Sequence, residues 1–162
     1  MNNLNYDTKD SIELLQLVSF RIGNEEFGVD ILNVQEINRM VDITHIPNST
    51  DYVEGIINLR GRVLPVIDLR KRLGLLKKEY DNDTRIIVVD LEGKTIGFLV
   101  DSVNEVLRIP VNVTEAPPEI VVGMNSNYLK AVGKLNDRLI ILLDLNKVLL
   151  ESEIEIISEF TK

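Results

Sequence analysis

The sequence predicts an all-β protein made of two small five-stranded barrels related by internal duplication. Three observations carry this. Only 5% of the 162 residues are aromatic and none is Trp, yet 44% are apolar, so the core must be built from Ile, Leu and Val, a palette that favours strands. Residues 55–73, GIINLRGRVLPVIDLRKRL, form a strand, a tight turn at Arg60-Gly61, a second strand and a helical turn. That module occurs twice. Tyr52, Leu59, Arg62, Asp68, Leu69, Lys71 and Leu73 each find an identical residue 76 positions on, at Tyr128, Leu135, Arg138, Asp144, Leu145, Lys147 and Leu149. The upstream stretches repeat too. GVDILNVQEINRM from Gly28 matches GFLVDSVNEVLRI from Gly97 at an offset of 69, with Val34/Val103, Glu36/Glu105 and Arg39/Arg108 identical.

Taken in order, residues 1–13 are polar, without periodicity, and are expected to form a loose arm. Residues 14–22 alternate as a strand, Gly23-Asn24 reverses the chain, and 27–31 and 34–40 continue as strands with Asn33 between them. Pro47, Asn48 and Ser49 mark a crossing loop. The hairpin of strands 54–59 and 62–67 follows. Pro65 inside its second strand has no N–H to give a ladder, which calls for an edge or a bulge there. Asp68 and Asp144 stand where N-caps belong, ahead of short helical turns at 69–73 and 145–150. Residues 77–82 make a polar link. The second half then repeats the order, with strands at 85–91, 95–100, 104–109, 128–135 and 138–143 and a longer loop carrying Pro117-Pro118. A C-terminal amphipathic helix is expected over 153–160. The repeat sets the predicted units: a first barrel at 14–80, a second at 81–150 and a tail at 151–162, with terminal segments crossing between them. Five short strands limit their open edges by curling up. Units of about 70 residues lie near the lower size limit of stable domains, so the two are expected to pack on each other.

Charge narrows the function. The formal net charge is −8, which opposes binding to nucleic acid or to an anionic membrane. One stretch departs from that average: Arg60, Arg62, Arg70, Lys71, Arg72, Lys77 and Lys78, with Asp68 the one acid among them. It is either a solvated rim or a docking face for an acidic protein. The absence of cysteine excludes disulfides, thiol catalysis and Cys-based metal sites. The N-terminus lacks a signal-peptide pattern, and no apolar run approaches the ~20 residues of a bilayer span, so a cytoplasmic location is expected.

Catalytic signals are weak. His45 is the one histidine, and alone it builds no His-rich metal site. Ser49-Thr50-Asp51 lacks a G-x-S-x-G elbow and fits a turn or cap better. No phosphate-cradling Gly-rich motif is present, and Asp81-Asn82-Asp83 lacks the Gly and distal Glu of a calcium loop. No enzyme activity and no cofactor are expected. Asp68 and Asp144 recur at equivalent strand ends, which suits two caps better than one catalyst. Arg62 and Arg138 recur likewise, and suit pairing with those aspartates or with a strand neighbour. Arg60 differs. Its counterpart is Asn136, so the repeat does not demand Arg at this tip, and recognition of a partner becomes the better reason for it.

These residues resemble the CheW family of bacterial chemotaxis coupling proteins. The carriers are GVDILNVQEI from Gly28, VEGIINLRGRVLPVIDLRKRLGL from Val53, GFLVDSVNEVLRIP from Gly97 and VGKLNDRLIILLDLNKVL from Val132. The match runs from about Leu14 to Leu150. The resemblance implies two intertwined SH3-like barrels and a non-enzymatic adaptor. Its implied partners are the regulatory domain of the histidine kinase CheA and the cytoplasmic tip of chemoreceptors, with the protein monomeric in isolation and assembled in arrays. It further implies kinase contact through the first barrel, and a receptor contact in the inter-barrel groove near Val34, Glu36, Gly55, Asn58, Leu59, Arg60 and Gly61. The related CheV proteins add a receiver domain, for which 162 residues are expected to leave no room. The alternatives are a CheW-like regulatory domain of another two-component pathway, a small-molecule site in the groove, or an oligonucleotide-binding barrel. The last is disfavoured because no aromatic residue lies among the cations from Arg60 to Lys78.

Overall fold

The computed structural model describes residues 13–47, 49–117 and 128–149. The expected arm (apart from residue 13) and the expected C-terminal helix lie outside the described residues. The strands are β1 (Leu14–Ile22), β2 (Glu25–Asp30), β3 (Val34–Arg39), β4 (Val53–Leu59), β5 (Arg62–Asp68), β6 (Arg85–Leu91), β7 (Lys94–Val100), β8 (Ser102–Pro110), β9 (Thr114–Glu115), β10 (Leu129–Leu135) and β11 (Arg138–Leu143). Two short helices, α1 (Leu69–Arg72) and α2 (Leu145–Val148), follow β5 and β11.

The strands form two sheets, ordered β8-β1-β2-β11-β10-β9 and β3-β6-β7-β5-β4. The repeat maps β1, β2, β8, β10 and β11 onto β6, β7, β3, β4 and β5, so the five shared strands stand in the same order in both. Their register repeats too. Leu142 faces Gly28 where parallel β11 and β2 meet, and Val66 faces Gly97 where parallel β5 and β7 meet. Each sheet closes through the continuation of one edge strand. After β3, Thr44 pairs with Ile56 of β4 through two hydrogen bonds of 2.9 Å. After β8 and a 3-10 turn, β9 pairs with β10. The result is two SH3-like barrels.

The barrels are not confined to the stretches 14–80 and 81–150, and the crossing expected of terminal segments involves whole strands. The first two strands of each half join the last three of the other. The physical reason lies in the core, which has three parts. Leu17, Leu107, Ile109, Ile140 and Leu142 fill the first barrel, while Ile57, Leu59, Leu64, Val66, Ile86, Val88 and Leu99 fill the second. A third and larger cluster, including Phe20, Ile22, Val29, Ile67, Ile87, Val89, Phe98 and Val100, lies between them. Strand exchange gives each barrel strands that are apolar on both faces, so one strand serves a barrel interior and the middle core together. Each fully buried Leu, Ile or Phe contributes roughly 1.5–3 kcal/mol. Neither barrel alone has that much apolar area to bury.

Pro65 is accommodated inside the sheet rather than at its edge. It stands opposite Ile56 of β4, and the pairing of β5 with β7 begins only at Val66. Two close approaches demand glycine. A Cβ at Gly97 would lie 2.8 Å from Ile86 Cγ2, and one at the equivalent Gly28 would lie 3.2 Å from Leu17 Cδ1. Gly55 has φ +151°, and a Cβ there would come within 2.1 Å of the Thr44 carbonyl oxygen, at the bond that closes the second barrel. Gly97→Ala is expected to destabilise the protein by about 1–3 kcal/mol through overpacking. Gly28→Ala should cost less, because its neighbour stands further off. Urea denaturation of both variants measures the order.

Candidate functional site

Three hairpin tips reverse through left-handed backbone at a non-glycine residue: Arg60 (φ 54°), Glu92 (φ 53°) and Asn136 (φ 56°). Asn tolerates this conformation, whereas a long side chain is strained in it by about 1 kcal/mol. Arg60 is therefore held at the tip of β4–β5 against its own backbone preference, where the equivalent tip uses Asn136. The Gly61 N–H donates to Asn58 Oδ1 at 2.8 Å and fixes the turn. The Arg60 guanidinium bonds the Glu36 carboxylate of β3, joining the two edge strands of the second barrel across its rim. Arg60 remains 68% exposed and Glu36 29%. The Asn38 side chain first, and Arg60 second, hold the Glu36 carboxyl below its ordinary value.

The other expected contact residues divide. Val34 is half-buried against the middle core. Gly55 is buried at the barrel closure. Leu59 is 5% exposed and packs inside the second barrel, directly beneath the tip. The rim thus gathers Glu36, Asn58, Arg60 and Gly61. Its exposed apolar residues are ones the sequence reading passed over: Ile37 at 39% and Val63 at 46%. Their signal was an apolar residue out of phase with the buried face of its strand. Beside them runs an open groove of about 500 Å³, lined by Val41, Asp42, Thr44, Ile56, Ile57, Asn58 and Val63. Leu32, at 88% exposure, stands on the turn between β2 and β3.

The opposite barrel carries the counterpart of this rim in a different state. Glu26 of β2 is 5% exposed and accepts from Arg138 Nε at 3.0 Å and Arg138 Nη2 at 2.9 Å. Ser19 Oγ and Asn104 Nδ2 also donate to it. Burial pulls the Glu26 carboxyl up, but the Ser19 and Arg138 hydrogen bonds outweigh it and leave the group below its ordinary value. Arg138 also reaches Glu105 at 3.4 Å. Arg138 and Arg62 both pair with a neighbour on the parallel strand, Glu26 in one case and Thr95 in the other, and not with the aspartates.

The basic stretch is largely engaged within the fold. Arg70 pairs with Asp101 at 3.1 Å and gives Nη1 to the Leu76 carbonyl at 2.6 Å. Lys71 pairs with buried Glu54 at 2.8 Å, and Lys78 with Asp81 at 3.1 Å. Arg72 donates to the Val148 carbonyl at 2.8 Å and lies over the Tyr52 ring. Arg60 stands 68% exposed at its rim even with Glu36 bound. Asp68 and Asp144 cap α1 and α2, accepting from the backbone N–H of Lys71 and Asn146 respectively. Burial raises the Asp68 carboxyl above its ordinary value, against the Tyr80 hydroxyl that donates to it at 3.1 Å. His45 lies against the Glu54 carbonyl at 2.8 Å, and Ser49 Oγ donates to the Ile46 carbonyl, so both serve the crossing loop. Among the described residues no group of three or more His, Cys, Asp or Glu is placed to hold a metal ion. No helix among them is long and apolar enough to cross a membrane.

The fold and site together define a class: paired SH3-like barrels with a charged rim exposed at one end. The chain belongs to the family of the CheW-like domain, whose model matches residues 16–153. It is 36% identical over 147 residues to "Chemotaxis protein CheW" of Klebsiella aerogenes, covering 91% of this chain and 89% of that one. The protein of the same name from Helicobacter pylori is 38% identical over 141 residues, covering 87% and 85%. The crystal structure of scaffolding protein TtCheW from Thermoanaerobacter tengcongensis matches with a TM-score of 0.78 at 39% identity, over 84% of this chain and 92% of that one.

Glu26→Gln is expected to destabilise the fold by about 1–2 kcal/mol at pH 7, because it removes the charge from a buried carboxylate that accepts hydrogen bonds from Ser19, Asn104 and the part-exposed Arg138. A lowered folded value means that the ionised Glu26 stabilises above the ordinary 4.5, and that this contribution disappears as pH falls through the folded value. The gap between Glu26→Gln and wild type should therefore narrow from about pH 5 downward in a series of denaturation curves.

Proposed function

We propose that this chain is a non-enzymatic adaptor of chemotaxis signalling that joins chemoreceptor tips to the histidine kinase CheA in the cytoplasm. Membership of the CheW-like family, relatives named as chemotaxis proteins and a structural neighbour described as a scaffolding protein all support this reading. The receptor meets the rim formed by Glu36, Asn58, Arg60 and Gly61, and the half-buried Val34 supports β3 from behind. The kinase takes a separate face of the same body. Coupling needs only that one rigid body hold both partners at fixed positions.

The observation that carries the receptor assignment is Arg60. It is strained, 68% exposed and replaced by Asn at the equivalent tip, so the fold does not require it. Its ion pair with Glu36 is a surface pair, worth about 0–1 kcal/mol to stability. An exposed cation from which the fold gains so little is well placed to meet a partner.

Arg60→Asn should leave the unfolding free energy within about 0.5 kcal/mol of wild type, since relief of backbone strain offsets the lost ion pair. It should weaken binding to a receptor cytoplasmic-tip fragment by about 1 kcal/mol or more. Titration calorimetry reads both variants, and equal affinities would remove Arg60 from the contact. A pull-down with CheA tests the second partner.

A further inference from the structure

The duplication places two arginines in the same frame with different companions. Arg138 opens β11, and its Nε and Nη2 grip both oxygens of Glu26 on the neighbouring parallel strand β2. Arg62 opens β5, and its neighbour on the parallel strand β7 is Thr95, 69 positions after Glu26. Strand register is the same in the two barrels, so Thr95 stands where Glu26 would stand. Among the described residues Arg62 gives one hydrogen bond, from Nη2 to Thr95 Oγ1 at 2.9 Å. A guanidinium has five N–H donors in a fork that fits a carboxylate, and a threonine hydroxyl fills only one of them.

The local charge points the same way. At the second barrel's rim Arg60 and Arg62 share one carboxylate, Glu36, which both attract. At the first barrel's rim Arg138 faces two, Glu26 and Glu105. One end is thus closed by the chain's own acid, and the other keeps an exposed arginine fork beside Arg60.

We propose that Arg62 is an anchor for a carboxylate side chain of the partner protein, taken into the fork that Glu26 fills in the first barrel. The partner is an acidic protein segment, and its Glu or Asp receives two N–H donors from Arg62 while Arg60 flanks it. This rests on the reading that the rim is the receptor-binding face, and it adds to that reading the residue and the ligand chemistry. The fold itself supplies the template for the contact, because the first barrel shows the bidentate pair with its acid supplied from within.

Two variants test it from opposite sides. Arg62→Gln removes the fork. Thr95→Glu fills it from within, recreating the pair of the first barrel. Each is expected to weaken binding of the receptor cytoplasmic-tip fragment about tenfold in calorimetry of the full chain. The double variant should bind no more weakly than Thr95→Glu alone, and Thr95→Glu should keep or raise the midpoint of thermal unfolding. If Thr95→Glu does not fold, Arg62→Gln decides. Wild-type affinity in Arg62→Gln, with weakened binding in Arg60→Asn, would overturn the anchor and leave the rim assignment standing. Wild-type affinity in Arg60→Asn as well would overturn both.

Discussion

The fold depends on the apolar layer between the two barrels. Phe20, Ile22, Ile87, Val89 and Phe98 are essentially unexposed there, and they come from strands that also wall a barrel interior. In β1, Leu17 belongs to the first barrel's interior while Val18 and Phe20 belong to the middle layer. A strand buried on both faces cannot be peeled away without opening two cores. This joins the halves more firmly than a contact between finished surfaces would, and it lets a chain of this size hold two barrels without disulfides.

Much of this was legible in the sequence. Arg60-Gly61 announced its hairpin, and Asp68 and Asp144 announced the starts of the two short helices. The 69- and 76-residue offsets gave the duplication, since each matched position had to serve the same local geometry twice. Intertwining was expected from the family resemblance, but which strands change sides was not legible in the repeat. A repeat tells which residues are equivalent, but not whether β2 pairs with the β11 of the far half or with a strand of its own. The facing of Leu59 was hidden for a related reason: it precedes an exposed tip, yet its side chain falls on the inward face of β4. Nor does sequence pair charges. The basic run could be read as a solvated rim or as a docking face, and its sequence does not show that Arg70, Lys71 and Lys78 hold Asp101, Glu54 and Asp81.

The two barrel rims show how a duplicated frame divides labour. At the first, Ser19, Asn104 and Arg138 satisfy a buried glutamate, which fixes four strands relative to one another. At the second, the acid is absent from the matching position and the charged groups stay in water. Stability is concentrated where the polar atoms are enclosed. The other end leaves its charged groups in water, and there an arginine occupies a backbone conformation better suited to asparagine.

The exchange of strands also has a symmetry to it. The two sheets are built alike, so two copies of one half, each trading its first two strands with the other, would close the same pairings as a symmetric pair. Such a pair must show the same end twice. A single polypeptide carries no such obligation, and here one copy has an acid at Glu26 where the other has Thr95, so the two ends of the body differ in chemistry while sharing one frame.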